Sequence, residues 1–264
     1  MNEENSPTLS NESPSRLECS GVWGGIRNRD LEIRAGKVIG SLYSAACDGG
    51  RGGDIYYFGV CRDGRNMRLA IADVAGHGEV VAEVGQFVYN SLQMHMCDIK
   101  SDVILGEINR LVSSRGLEAM TTAAVVAYNR DKGMAYISYA GHPPVLYKGK
   151  SDIAWSIAAP PHRNVHTNAI LMDIPLAVDS GAIYRPMEIP MASGDRLLVY
   201  TDGITEAPSP EGDLFGHGRL KDILDANAEA SLAALKAAVL QAVLQHTRKG
   251  LTHDDVTLIA LQIC

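Results

Sequence analysis

Ile55-Tyr56-Tyr57-Phe58-Gly59-Val60-Cys61, then Arg62-Asp63-Gly64-Arg65-Asn66, then Met67-Arg68-Leu69-Ala70-Ile71-Ala72 follow one another without a break. Two apolar runs of strand length are separated by a short polar stretch with a central glycine, the pattern of a β-hairpin. Thr122 to Tyr128, a turn at Asn129 to Gly133, and Met134 to Tyr139 repeat it. Val38 to Ala46, Arg196 to Tyr200 and Val256 to Ile263 read as further strands. Between the hairpins the period changes. Glu79, Glu83, Gln86, Asn90 and Gln93 make a polar stripe, and Val81, Val84, Val88 and Leu92 an apolar one, so a helix is predicted over Glu79 to Met96. A second helix, capped by Ser101 or Asp102, carries Ile104, Ile108, Leu111 and Val112. Near the C-terminus, Arg219 to Leu224 is a short helix, and a longer one starts at the cap Ser231 and stops with Gly250 at C′. Residues 148–182 have weak periodicity and several Pro and Asn, and read as loops and short strands. Strands come as hairpins and helices in pairs, without strand-helix-strand alternation. That predicts an α+β fold of antiparallel sheets with helices on their outer faces, not a doubly wound parallel sheet.

The chain has 264 residues, 46% of them hydrophobic and 21% charged, enough for a sizeable core. Residues 1–18, rich in Asn, Ser, Glu and Pro, read as a disordered tail, and 19–264 as a single domain. The net charge of −7 argues against nucleic acid or an anionic membrane as partner. Cys19, Cys47, Cys61, Cys97 and Cys264 are odd in number and not spaced as a metal or redox pair, so reduced, mostly buried thiols in a cytoplasmic protein are expected. The N-terminus lacks the basic and apolar regions of a signal peptide, and no apolar run approaches the ~20 residues of a membrane span.

Four aspartates share a context. Asp54 follows Gly52-Gly53, and Asp73 ends the apolar run Leu69-Ala70-Ile71-Ala72. Asp202 ends Leu197-Leu198-Val199-Tyr200-Thr201 and precedes Gly203, and Asp254, with Asp255, stands before the last strand. Any one of these could be turn punctuation. Four together can converge on one sheet edge, where carboxylates repel unless a cation lies among them. An all-oxygen donor set suits the hard ions Mg²⁺ and Mn²⁺.

Gly-Gly-Asp at 52–54, Ala-Asp-Val-Ala-Gly-His-Gly at 72–78, Ala-Gly-His-Pro-Pro at 140–144, Tyr-Thr-Asp-Gly-Ile-Thr-Glu-Ala at 200–207 and Asp-Asp-Val-Thr at 254–257 occur in that order. Over about residues 38–264 the sequence resembles the metal-dependent protein phosphatases of type 2C, the PPM superfamily, in their bacterial stage II sporulation protein E-like branch. The resemblance implies an α-β-β-α sandwich of two antiparallel sheets flanked by helices. It implies two Mn²⁺ or Mg²⁺ ions: Asp73 bridging both, the Val74 carbonyl and Asp54 serving one, and Asp202 and Asp254 the other. It also implies hydrolysis of phosphoserine or phosphothreonine by a metal-bridged water with no protein nucleophile. The substrate implied is a phosphoprotein such as an anti-sigma-factor antagonist. With no recognisable sensor, receiver or membrane segment in the sequence, control by a regulatory protein partner, by oligomerisation such as a homodimer, or by metal occupancy is expected.

Asp255, His77 and His142 are placed next to the ligands rather than among them. His77 either holds its loop through a ring hydrogen bond or donates a proton to the leaving seryl oxygen. Arg51, His162 and His166 read as exposed loop residues. Met94, Met96, Trp23 and Trp155 read as packing residues. Tyr57 stands where the family usually has a second aspartate, three residues after Asp54. On an alternating strand that offset puts the two side chains on opposite faces. An enzyme, a protein serine/threonine phosphatase, is the leading reading. The alternative, for which Tyr57 speaks, is a pseudophosphatase that binds a phosphoprotein without turnover.

Overall fold

The computed structural model describes residues 19–25, 28–50, 52–61, 65–76, 79–96, 104–158 and 173–264. The expected tail at 1–18, Arg51, His77, the expected caps Ser101 and Asp102, and His162 and His166 lie outside the described residues.

Twelve strands are described: β1 (Cys19–Gly25), β2 (Arg29–Ala35), β3 (Val38–Ala45), β4 (Asp54–Cys61), β5 (Asn66–Val74), β6 (Thr121–Asn129), β7 (Met134–Ala140), β8 (Leu146–Lys148), β9 (Ser156–Ile157), β10 (Met187–Pro190), β11 (Arg196–Tyr200) and β12 (Val256–Ile263). Five α-helices accompany them: α1 (Glu79–His95), α2 (Ile104–Ser113), α3 (Asp202–Thr205), α4 (Gly216–Ala226) and α5 (Leu232–Thr247). The strands form two six-stranded sheets, ordered β1-β4-β5-β6-β7-β10 and β2-β3-β12-β11-β8-β9. Their strand pairs are antiparallel. Both expected hairpins form, with β4 on β5 and β6 on β7.

Strand alternation sorts the side chains into three apolar layers. On β5, Met67, Leu69 and Ile71 join Phe58, Leu42, Val199 and Ile259 between the two sheets. The intervening Ala70, Ala72 and Val74 face the other way, under α1 and α2, with Val88, Leu92, Ile104 and Ile108. On β12, Ile259, Leu261 and Ile263 point to the middle layer, and Val256, Leu258 and Ala260 to a third layer under α4 and α5. Both faces of each central strand are covered, which is why these strands are apolar at almost every position. The fold is thus the α+β sandwich of two antiparallel sheets flanked by helices.

Three local expectations are corrected. Helix α5 ends at Thr247 and is capped by Arg248, itself in the left-handed region at φ 55°, and Gly250 lies beyond the cap. Ser231 does cap its start, accepting from the Ala234 amide at 3.2 Å. Met94 is half exposed on α1, whereas Met96 and Trp155 are buried. Cys61 is buried, but Cys47 is partly exposed and Cys264 exposed, so the thiols are less uniformly buried than expected.

Candidate functional site

Asp54 opens β4, and Asp73 is the last residue but one of β5. The hairpin register sets them directly opposite each other. Directly opposed side chains lie on the same face, so two like charges meet there. The second sheet supplies the other pair. Thr201 follows β11 and leads into α3, whose first residue is Asp202, while Asp254 and Asp255 lead into β12. Strands β11 and β12 are neighbours, with Tyr200 opposite Leu258. All four aspartates therefore stand at one end of the sandwich.

Hydrogen bonds fasten the two sheets together at that end. The Thr201 hydroxyl donates to Asp54 Oδ2 at 2.9 Å and accepts from the Thr257 amide at 2.9 Å. Asp255 is buried, and its carboxylate accepts from the amides of Cys47 at 2.9 Å, Gly53 at 2.5 Å and Asp54 at 3.4 Å. Such a carboxylate acts as a strut for the loop that carries Asp54. The strut requires glycine, because a Cβ on Gly52 would lie 1.9 Å from Asp255 Oδ2. A Cβ on Gly53 would lie 2.8 Å from the Val74 carbonyl oxygen and 3.5 Å from Asp73 Oδ1. The Val74 carbonyl and an Asp73 oxygen thus face the same small space, while the Val74 side chain is buried under α1.

Asp73, Asp202 and Asp254 line one pocket of about 260 Å³, with Ala75, Gly76, Met120 and Thr122. Asp54 is buried beside Asp73, and its Oδ1 has no hydrogen-bond partner. Burial, then the charges of Asp54, Asp202, Asp254 and Asp255, hold the Asp73 carboxyl well above the usual range. Burial does the same to Asp54, against the lowering effect of the Thr257 and Thr201 hydroxyls. Asp202 and Asp254 are raised as well, chiefly by burial. Without cations, these carboxylates destabilise one another.

Among the described residues, no three His, Cys, Asp or Glu side chains are already closed into a metal-binding group. The donors nevertheless fit a hard cation in kind: carboxylate oxygens, one backbone carbonyl, and a buried carboxylate oxygen lacking a partner.

His142 is buried, with Nδ1 donating to the Pro143 carbonyl at 2.9 Å and Nε2 without a partner. Burial holds its pKa down at about 4, so the ring is neutral. Tyr57 is 1% exposed and packs in the layer under α1 and α2, on the face of β4 away from the middle layer.

Two residues escaped the sequence reading. His253 Nε2 donates to the Gly203 carbonyl at 2.7 Å, tying the turn of Asp202 to the turn of Asp254. No spacing rule announces such a bond, since the partners are 50 residues apart. Glu206 is a sixth acid at the site, its carboxyl raised by burial and then by the charges of Asp202 and Asp254. Its signal was present: it stands four residues after Asp202, one helical turn away.

The family model of stage II sporulation protein E, SpoIIE, matches residues 63–263. The chain belongs to the SpoIIE family. Among curated proteins, the phosphoserine phosphatase RsbU of Bacillus subtilis is 25% identical over 212 residues, covering 80% of this chain and 59% of RsbU. The chain thus spans about three-fifths of that relative. Among solved structures, the RsbU and RsbW domains of Rv1364c from Mycobacterium tuberculosis superpose with a TM-score of 0.71 at 24% identity, over 86% of this chain and 60% of that one. RsbX in complex with magnesium superposes with a TM-score of 0.64 at 14% identity, over 89% of this chain and all of that one. These structures share the fold of this SpoIIE-family chain. No helix among the described residues is long and apolar enough to cross a membrane.

Proposed function

We propose that the chain is a metal-dependent protein serine/threonine phosphatase. The observation that carries this reading is the convergence of Asp73, Asp202 and Asp254, from two sheets, on one pocket, with Asp54 buried beside Asp73 and its Oδ1 left unpartnered. Asp54, Asp73 and the Val74 carbonyl would hold one divalent cation, and Asp73, Asp202 and Asp254 a second, each Mn²⁺ or Mg²⁺. The chemistry available with such cations bound is activation of water for attack on a phosphate monoester, together with neutralisation of the phosphoryl oxygens.

The chain's own residues do the rest. Asp255, through the amides of Gly53 and Asp54, fixes the loop that presents Asp54. Thr201 orients the Asp54 carboxylate and leaves its Oδ1 for a cation. His253 holds the turn carrying Asp202 against the turn carrying Asp254. Ala75 and Gly76 line the pocket with little side chain, which leaves room for a seryl phosphate. The kinship with RsbU, named a phosphoserine phosphatase, supports phosphoserine as the group acted on. The proposed substrate is a phosphoprotein such as an anti-sigma-factor antagonist, with a regulatory partner or a second copy controlling turnover.

Tyr57 packs in an apolar layer, so its departure from the family pattern reads as a packing choice and not as loss of a ligand. The test is hydrolysis of p-nitrophenyl phosphate and of a phosphoserine peptide, with Mn²⁺ and then with excess EDTA. Turnover that EDTA abolishes is expected. Phosphopeptide binding without turnover at any Mn²⁺ concentration would establish the pseudophosphatase instead.

A further inference from the structure

The carboxylate pocket has two kinds of wall. Asp73, Asp202 and Asp254 form one, and the uncharged Ala75, Gly76, Met120 and Thr122 the other. The uncharged wall is a continuous strip, because the Ala75 amide donates to the Met120 carbonyl at 2.9 Å. Next to Met120, Thr121 exchanges backbone hydrogen bonds with Leu176 at 2.9 and 3.4 Å, which lays residues 174–178 alongside residues 117–121.

These two segments carry much of the exposed apolar surface. Of the nine large hydrophobic residues exposed among the described residues, four lie here: Leu117 at 68%, Met120 at 36%, Ile174 at 37% and Val178 at 42%. Single exposed apolar residues need no explanation, but a group running into a charged pocket does. Exposed acids, Glu118, Asp173 and Asp179, stand within the same segments or beside them.

We infer that this strip is the docking rim for the residues flanking the phosphoserine, and that Met120 selects substrates with large apolar residues there. The inference rests on the phosphatase reading above. With the phosphoryl group at the aspartates, the peptide on either side of the serine must leave along the pocket walls. The exposed acids around the strip, Glu118, Asp173 and Asp179, repel acidic flanks. Ala75 and Gly76 offer little side chain to grip. Met120 is the large apolar group that both lines the pocket and remains exposed, and an unbranched thioether adapts to differing partners. The occupant is therefore a protein segment with phosphoserine between apolar residues.

Two phosphoserine peptides, alike except for leucine or glutamine on both sides of the phosphoserine, test this at equal charge with Mn²⁺. Burial of one or two leucines on the rim gives the leucine peptide a kcat/KM about tenfold higher. In Met120→Gln, a near-isosteric change, that ratio should fall toward one, mainly through a higher KM for the leucine peptide. Equal kcat/KM for the two peptides in the wild type, or an unchanged ratio in Met120→Gln, overturns the docking rim and leaves the phosphatase reading standing. Hydrolysis of neither peptide overturns both.

Discussion

On the proposed reading Asp73 is shared by two cations, and a neutral group of the same shape cannot replace such a carboxylate. Asp73→Asn is therefore expected to lower turnover by about a hundredfold or more, beyond the 10–100-fold typical of residues that merely orient ligands. The cation-free protein should keep its fold and become slightly more stable, because one of several mutually repelling charges is gone. Steady-state kinetics and thermal melting of the same preparation check both halves. Asp254 and Asp255 should separate in kind. Asp255→Ala strips three backbone amides of their acceptor and should cost about 1–3 kcal/mol in urea unfolding, with Asp54 misplaced as a consequence. Asp254→Ala should leave stability nearly unchanged and remove activity. His253→Ala should weaken Mn²⁺ binding about tenfold, and His253→Gln, which can still donate to the Gly203 carbonyl, should recover most of it. Direct Mn²⁺ titration distinguishes the two. The four aspartates were legible in the sequence because glycines and apolar strands frame them. Asp255 was legible as a neighbour of the site, but its three amides belong to segments some 200 residues away, and only the folded register brings them to it.

Among the secondary elements, Tyr57 decides how β4 is read. An aspartate there would place a charge in the buried layer under α1 and α2, where desolvation disfavours the ionised form. Tyr57→Asp should therefore lower stability in chemical denaturation, and should not tighten metal binding. The C-terminus of α5 offers a contrasting change. Arg248 holds a left-handed conformation that glycine adopts without strain, and its ion pair with Glu211, at 3.5 Å, is exposed. Arg248→Gly should raise stability by about 0.5–1 kcal/mol, measured by urea unfolding. The central strands and long helices were readable from periodicity because burial on both faces makes them long and apolar. Edge elements were not. In β1, Gly21, Gly24 and Gly25 dilute the strand signal, and β10 is four residues ending in Pro190. The alternation in Arg29-Asp30-Leu31-Glu32-Ile33-Arg34-Ala35 does carry the period-two signal of a half-buried edge strand, so β2 could have been found.

At the scale of the molecule, the clustered carboxylates link folding to pH and to cations. Without metal, Asp54 and Asp73 have carboxyl groups raised above their ordinary value of 3.8 by burial and by neighbouring charge. A raised folded-state value means that the folded protein favours the protonated form. The resulting stabilisation is complete below the ordinary value and is lost as pH rises through the raised ones. The cation-free protein should thus lose stability from about pH 4 upward, and Mn²⁺ should restore it. The rise in melting temperature on adding Mn²⁺ should be larger at about pH 8 than at about pH 5. An equal rise at both would mean that the carboxylates are not what the cation meets.

The sandwich has one purpose in this account: to bring Asp54 and Asp73 of one sheet to Asp202 and Asp254 of the other around divalent cations. Calorimetric titration of Mn²⁺ into EDTA-stripped protein tests that most directly. Two ions per chain are expected in the wild type, with one lost or severely weakened in Asp254→Ala and both weakened in Asp73→Asn. No saturable binding in the wild type, or the same stoichiometry and affinity in all three proteins, would contradict it.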